Sequence, residues 1–369
     1  MHIHSILGAA LLACMAGHAM AAEGDPPAAV VQSQNITTGK DGTITANGLM
    51  VPPSDLLSVE ARSRVGQRLA QSAASTAGPP SVATARAMAD TFLKSLVAKW
   101  LALHPSTIRS VTMNGVRVDE IVPAAGIAPA NARRVLINLH GGGFFTGAGA
   151  GGQAESVPLA ARGRIKVVAV DYGLAPEHRF PSASRDVEHV YRHLLKSYRP
   201  ENIGIFGCSA GGALVAQSLT WFQREGLPRP GAAGIFCSGV MPGFWYGGDS
   251  LAVGQMLNGQ AAATPEQIAR SPGNLYLAGV EPKDALVTPG LFPDVLAKFP
   301  PTLLVTSTRD IAMSNALVTN VELLKAGVDT QLLVLEGTGH GEFNFLAGTR
   351  ETTDAYAIIW RFFDRHLGH

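Results

Sequence analysis

The stretch Ile203-Gly204-Ile205-Phe206-Gly207-Cys208-Ser209-Ala210-Gly211 decides the fold. Residues 203–206 read as a buried strand, and residues 212–224 read as a helix. Between them lies the pattern G-x-S-x-G. Glycines two positions either side of Ser209 permit a sharp strand-to-helix turn that lifts a hydroxyl above a sheet. The five-letter pattern alone is weak, and its plain alternative is a solvated serine in a glycine-rich turn. The strand before it and the helix after it give it weight.

The surrounding sequence has the same texture. Residues 134–139, 165–170, 233–236, 302–305 and 331–335 are short apolar β runs, and 116–122 also reads as a strand. Helix-like stretches at 153–161, 183–198 and 316–326 lie between most of them. That alternation implies an α/β fold, with a mostly parallel central sheet and helices on both faces. Residues 241–299 break the alternation with Pro, Gly and scattered aromatics, as an insertion between two strands would. In open sheets of this kind ligands bind at the carboxyl ends of the strands, where the motifs below fall.

A serine hydroxyl needs a base near neutral pH. His340 follows the 331–335 strand in Glu336-Gly337-Thr338-Gly339-His340-Gly341, a turn that can aim an imidazole. The imidazole in turn needs a carboxylate to fix its tautomer. Asp310 ends the segment 302–309; Glu336 is the rival, but it stands only four residues before His340. The order Ser209, Asp310, His340 is the one expected of an α/β-hydrolase. His140-Gly141-Gly142-Gly143-Phe144 follows the 134–139 strand. Its glycines let backbone N–H groups approach a developing alkoxide. The expected donors are Gly141, Gly142 and Ala210, with Gly143 a lesser candidate, and His140 is read as structural.

Together, His140 to Phe144, Asp171-Tyr172-Gly173-Leu174-Ala175-Pro176-Glu177, the run GCSAGG, Asp310 and His340 resemble the bacterial hormone-sensitive-lipase-type esterases. The resemblance covers residues 105–369. It implies an α/β-hydrolase fold with an N-terminal helical cap. It also implies hydrolysis of carboxylic esters with short to medium acyl chains, by Ser209, Asp310 and His340 through an acyl-enzyme. One position departs: the family usually has an acid before the serine, and here it is Cys208. Lactone or thioester cleavage would use the same parts, and a ligand-binding receptor on the same fold is the alternative from another class.

Other signals bound the picture. Charged residues are 15% of the chain and the formal net charge is +1, so no basic face for nucleic acid is expected. Gly147 to Gly152 matches a dinucleotide fingerprint, but the HGGGF run separates it from the preceding strand, where that fingerprint belongs. No cofactor or metal is called for. Residues 1–22 carry no Asp, Glu, Lys or Arg and include Ala19-Met20-Ala21. They read as a signal peptide directing export to the periplasm or medium, with lipid anchoring at Cys14 the alternative. Residues 23–104 read as a linker and helical cap, and 105–369 as the catalytic domain. In residues 82–103 Phe92, Leu93, Leu96, Val97, Trp100 and Leu101 share a helix face, for core packing or for covering a pocket. Phe144, Phe244, Trp245 and Tyr246 are the expected pocket walls, for a small-molecule ester as partner and with no membrane span.

Overall fold

The computed structural model describes residues 36–40, 44–46, 50–73, 81–241, 247–259 and 275–368. The expected signal peptide, Cys14, Phe244, Trp245 and Tyr246 lie outside them. The chain divides into two units, Met1–Pro52 and Pro53–His369. In the first, β1 (Ile36–Thr38) and β2 (Ile44–Ala46) pair antiparallel, with Ile36 opposite Ala46. The sequence suggested a linker or an extended arm there.

The second unit is built on an eight-stranded sheet. Its strands are β3 (Ser106–Met113), β4 (Val116–Pro123), β5 (Val135–Leu139), β6 (Lys166–Val170), β7 (Ile203–Cys208), β8 (Ala232–Phe236), β9 (Thr302–Arg309) and β10 (Thr330–Gly339). Their spatial order is β10-β9-β8-β7-β5-β6-β4-β3. From β6 across to β10 all pairs are parallel, whereas β3–β4 and β4–β6 are antiparallel. Among the described residues the helices are α1 (Val59–Ala73), α2 (Val82–Leu103), α3 (Ala150–Gly163), α4 (Ser182–Leu194), α5 (Ala210–Arg224), α6 (Asp249–Leu257), the single turn α7 (Pro293–Leu296), α8 (Met313–Lys325) and α9 (Arg350–His366).

Alternate strand residues feed two separate cores. Val135, Ile137, Leu139, Ile205, Ile235 and Leu304 pack beneath α4, α5 and α8. Leu136, Val167, Phe206, Phe236, Leu303 and Val305 pack beneath α2, α3 and α9. A parallel sheet covered on both faces requires apolar residues at every position, which is why these strands read as continuous apolar runs. The α2 stripe divides. Leu96, Val97 and Trp100 are buried in the second core, whereas Phe92 stays 51% exposed.

Trp100 anchors α2. Its indole N–H donates to the Asn344 carbonyl at 3.2 Å, and its ring meets Tyr356 edge-on at 5.8 Å. Trp100→Ala is expected to cost about 3–5 kcal/mol, the range for truncating a buried aromatic. A denaturant midpoint that falls accordingly at unchanged slope checks this.

Candidate active site

Strand β7 ends at Cys208, and α5 begins at Ala210. Ser209 between them has φ 60° and ψ −122°, a conformation that side chains rarely adopt and that persists only where the surroundings impose it. Here the Ser209 N–H donates to the Phe236 carbonyl at 2.8 Å. Gly211 lies hard against the end of β5, so close that a Cβ there would fall inside the carbonyl oxygen of Leu139.

The structure brings Ser209, Asp310 and His340 together. His340 Nε2 is 2.8 Å from Ser209 Oγ, and His340 Nδ1 is 2.7 Å from Asp310 Oδ1. Asp310 is fully buried. Burial opposes its charge. The His340 ring outweighs that by charge and hydrogen bond, together with the Ala312 N–H and the Thr306 hydroxyl, and holds the carboxyl below its ordinary value. Both segments preceding these residues are more strand-like than expected. Strand β9 runs on to Arg309, and β10 continues to Gly339 through a register shift after Leu335. Each side chain therefore projects from the very end of a strand. Glu336 is exposed on β10.

Helices α1 and α2 brace this edge. The Gly339 N–H donates to buried Glu342 at 2.6 Å, and Arg68 of α1 pairs with the same carboxylate at 2.7 Å. Arg86 of α2 donates to the Phe145 and Ala175 carbonyls, each at 2.7 Å. The Tyr172 hydroxyl donates to the His140 carbonyl at 2.6 Å.

The glycine loop at 141–143 corrects one expectation. The Gly141 N–H is engaged by Glu155 Oε1 at 2.9 Å, so it is not a free donor toward the space above Ser209. Among the described residues no acceptor is found for the N–H groups of Gly142, Gly143 and Ala210. Gly142 holds φ 115°, and a Cβ there would strike the Thr146 backbone, so the loop demands glycine. His140 is buried and kept below its ordinary pKa by desolvation, and its Nδ1 lies 2.7 Å from the Gly141 carbonyl. It stacks on Tyr172 and serves structure.

A family model described as alpha/beta hydrolase fold matches residues 136–344. The chain belongs to the α/β-hydrolase family. It is 30% identical over 257 residues to an esterase of Acinetobacter venetianus, covering 69% of this chain and 81% of the relative. It is 29% identical over 265 residues to the esterase LipU of Mycobacterium tuberculosis, covering 66% and 82%. Among solved structures, esterase E25 superposes with a TM-score of 0.75 at 25% identity, covering 88% of this chain and 99% of that one. An esterase from the bacterial hormone-sensitive lipase family superposes with a TM-score of 0.71 at 25% identity, covering 84% and 99%. This α/β-hydrolase is of that bacterial hormone-sensitive-lipase type.

Above Ser209 the α/β-hydrolase carries a cavity of about 280 Å³. Ala89, Phe92 and Leu93 of α2 form one wall, and Phe345 beside the His340 turn forms another. The Phe92 and Phe345 rings meet edge-on at 5.6 Å. Part of the α2 stripe thus lines a pocket while the rest is core. Phe144, an expected pocket wall, is instead fully buried and stacks on Tyr276 at 4.3 Å; its φ of 62° turns it down into the core. Sequence reading had Leu93 on the α2 face but missed Phe345 and Glu155. Phe345 carried a readable signal, being an apolar residue beside the His340 turn.

Proposed function

We propose that this α/β-hydrolase cleaves carboxylic esters of short to medium acyl chain through an acyl-enzyme on Ser209. The observation that carries the reading is the continuous chain Ser209–His340–Asp310, with contacts of 2.8 and 2.7 Å, opening on an apolar cavity. His340 Nε2 takes the Ser209 proton as Oγ attacks the ester carbonyl. The oxyanion that forms is met by the N–H groups of Gly142, Gly143 and Ala210. His340 then returns the proton to the departing alcohol. A water deprotonated by His340 attacks the acyl-enzyme, releasing the acid and restoring Ser209. Ionised Asp310 stabilises the imidazolium in both halves.

The test is a rate profile across p-nitrophenyl esters of increasing acyl length. Rates should peak at short to medium chains and fall steeply for palmitate; a profile that rises to palmitate overturns the acyl-length assignment. Phe92→Ala opens the outer wall. The ratio of kcat/KM for a longer over a shorter ester should rise about tenfold, the scale of losing a steric limit in an apolar pocket. An unchanged ratio removes α2 from the acyl site.

A further inference from the structure

Glu155 has no part in the mechanism above, yet it lines the same cavity as Ser209 and His340. It stands on α3, and its carboxylate accepts two hydrogen bonds. The Gly141 N–H reaches Oε1 at 2.9 Å and Asn138 Nδ2 reaches Oε2 at 3.0 Å. Asn138 is fully buried near the end of β5, and its other terminal atom, Oδ1, has no hydrogen-bond partner among the described residues. Gly141 itself is wedged against the nucleophile, since a Cβ on it would lie 2.9 Å from the Cys208 carbonyl oxygen and 3.5 Å from Ser209 Cβ.

We propose that Glu155 is a positioning residue that tethers the oxyanion loop through the Gly141 N–H, and that its protonation switches this tether. The proposal rests on the ester-hydrolase reading. The ionised carboxylate satisfies both donors. The Gly141 bond is then charge-assisted, roughly twice as strong as a neutral one. It fixes the start of the loop, so Gly142 and Gly143 face the cavity. When Glu155 takes up a proton, its O–H opposes the Asn138 N–H. A half-turn of the Asn138 amide resolves the clash, because the partnerless Oδ1 then accepts the new O–H. The neutral state is therefore also satisfied, but the Gly141 tether has lost its charge.

The surroundings place this exchange near neutrality. Burial pushes the Glu155 carboxyl up to about 7 against the opposing pull of Asn138, Gly141 and the Cys208 backbone. The other titratable groups near it are Tyr172 beside β6, Cys208 on β7 and Tyr356 on α9, each pushed up in part by the Glu155 charge. They stay neutral across the range. His140 and His340 complete the ring, one beneath the loop and one across the cavity.

The experiment compares kcat and KM against pH for the unaltered protein and Glu155→Gln, with organophosphate labelling of Ser209 in both. In the unaltered protein His340 must be unprotonated and the protonated Glu155 form should be about tenfold slower, so the acid limb of log(kcat/KM) should carry an extra fall of about tenfold, steeper than slope one, where Glu155 titrates. Glu155→Gln should lose that extra fall and show a slope of about one throughout the limb. At high pH it should lower kcat about tenfold with KM within about twofold, as loss of a support felt in the transition state does. A merely structural role would lower activity without removing a proton from the limb. An identical limb in both proteins, with Ser209 labelled, overturns the proposal alone. Failure to label Ser209 in the unaltered protein overturns the ester-hydrolase reading beneath it. Should Glu155→Gln fail to fold, infrared spectra of Ser209→Ala against pH decide. A carboxyl C=O band vanishing as pH rises through about 7 supports the switch, and the absence of such a band rejects it.

Discussion

Ser209→Ala is expected to lower kcat by about 10⁴ or more and to leave the protein folded. Oγ is the only atom removed, and the strained backbone at 209 is held by the Phe236 carbonyl and by the packing of Gly211 rather than by the hydroxyl. Mass spectrometry after organophosphate treatment should find one adduct, on Ser209, and none in the variant. Cys208 should stay unmodified. A hydrogen bond with Cys237 draws its thiol down, but burial and the charges of Glu155 and Asp310 outweigh it and push the thiol up, away from the reactive thiolate. An adduct on Cys208, or full activity in Ser209→Ala, would falsify the assignment. His340→Ala should cost a similar factor. Asp310→Asn should cost less. The Ala312 N–H and His340 Nδ1 share Oδ1, while among the described residues Oδ2 meets only the Thr306 hydroxyl. An asparagine can keep its oxygen toward Ala312 and His340 and turn its NH₂ to Thr306, whose oxygen can accept. The imidazole then keeps its tautomer and loses only the neighbouring charge. A fall of roughly 10² to 10³ is expected, below the ~10⁴ of a reversed tautomer.

The elements that sequence reading placed well are those whose signal is local. Helix α2 was bounded at 82–103 and is found there, opened by Ser81, whose hydroxyl accepts from the Thr84 N–H at 3.1 Å. Strands β5 to β9 announced themselves as apolar runs because both faces of the sheet are covered. Strand β3 went unread. Its sequence STIRSVTM is polar, and as the edge strand it buries almost nothing. A signal was nonetheless present: Asn114-Gly115, both at positive φ, is the preferred two-residue turn of a hairpin. Helix α9 was also overlooked, although Ala355, Tyr356, Ile359, Phe362 and Phe363 recur at helical spacing and are all buried.

The candidate site divides along the same line. Ser209, Asp310 and His340 were legible because each terminates a strand, and strand ends converge in this fold. The hydrogen-bonding state of the glycine loop was not legible. Which of Gly141, Gly142 and Gly143 has a free N–H depends on a carboxylate fourteen residues past Gly141, placed by the packing of α3 on the sheet. Residues 244–246 were singled out for their aromatic character, whereas the described pocket draws its aromatic rings from Phe92 and Phe345. Composition marks residues able to line a pocket, but only packing decides which do.

Gly211→Ala should abolish activity and destabilise the fold, whereas the same change at Gly66 should stabilise it. Both glycines are helical, and in a free helix alanine is favoured over glycine by about 1 kcal/mol. At Gly66 on α1 the nearest atom to an added Cβ is Pro53 Cγ at 3.8 Å, an ordinary contact. The helical gain is therefore expected in full, about 0.5–1 kcal/mol. At Gly211 a Cβ would fall inside the Leu139 carbonyl oxygen and lie 2.7 Å from that of His140. Both obstacles are backbone, so no rotamer change relieves them. Either α5 must withdraw from β5 or the start of the glycine loop must shift. Withdrawal of α5 breaks packing around Ala213 and Leu214 in the first core. A shift of the loop moves Gly142 and Gly143 off the space above Ser209. Overpacking usually costs about 1–3 kcal/mol; with rigid neighbours on both sides, this case should reach or pass the top of that range. Thermal melts and ester turnover of the two variants, measured side by side, separate the outcomes. A Gly211→Ala protein that melts like the parent and keeps its turnover would show that the elbow has slack the geometry denies it.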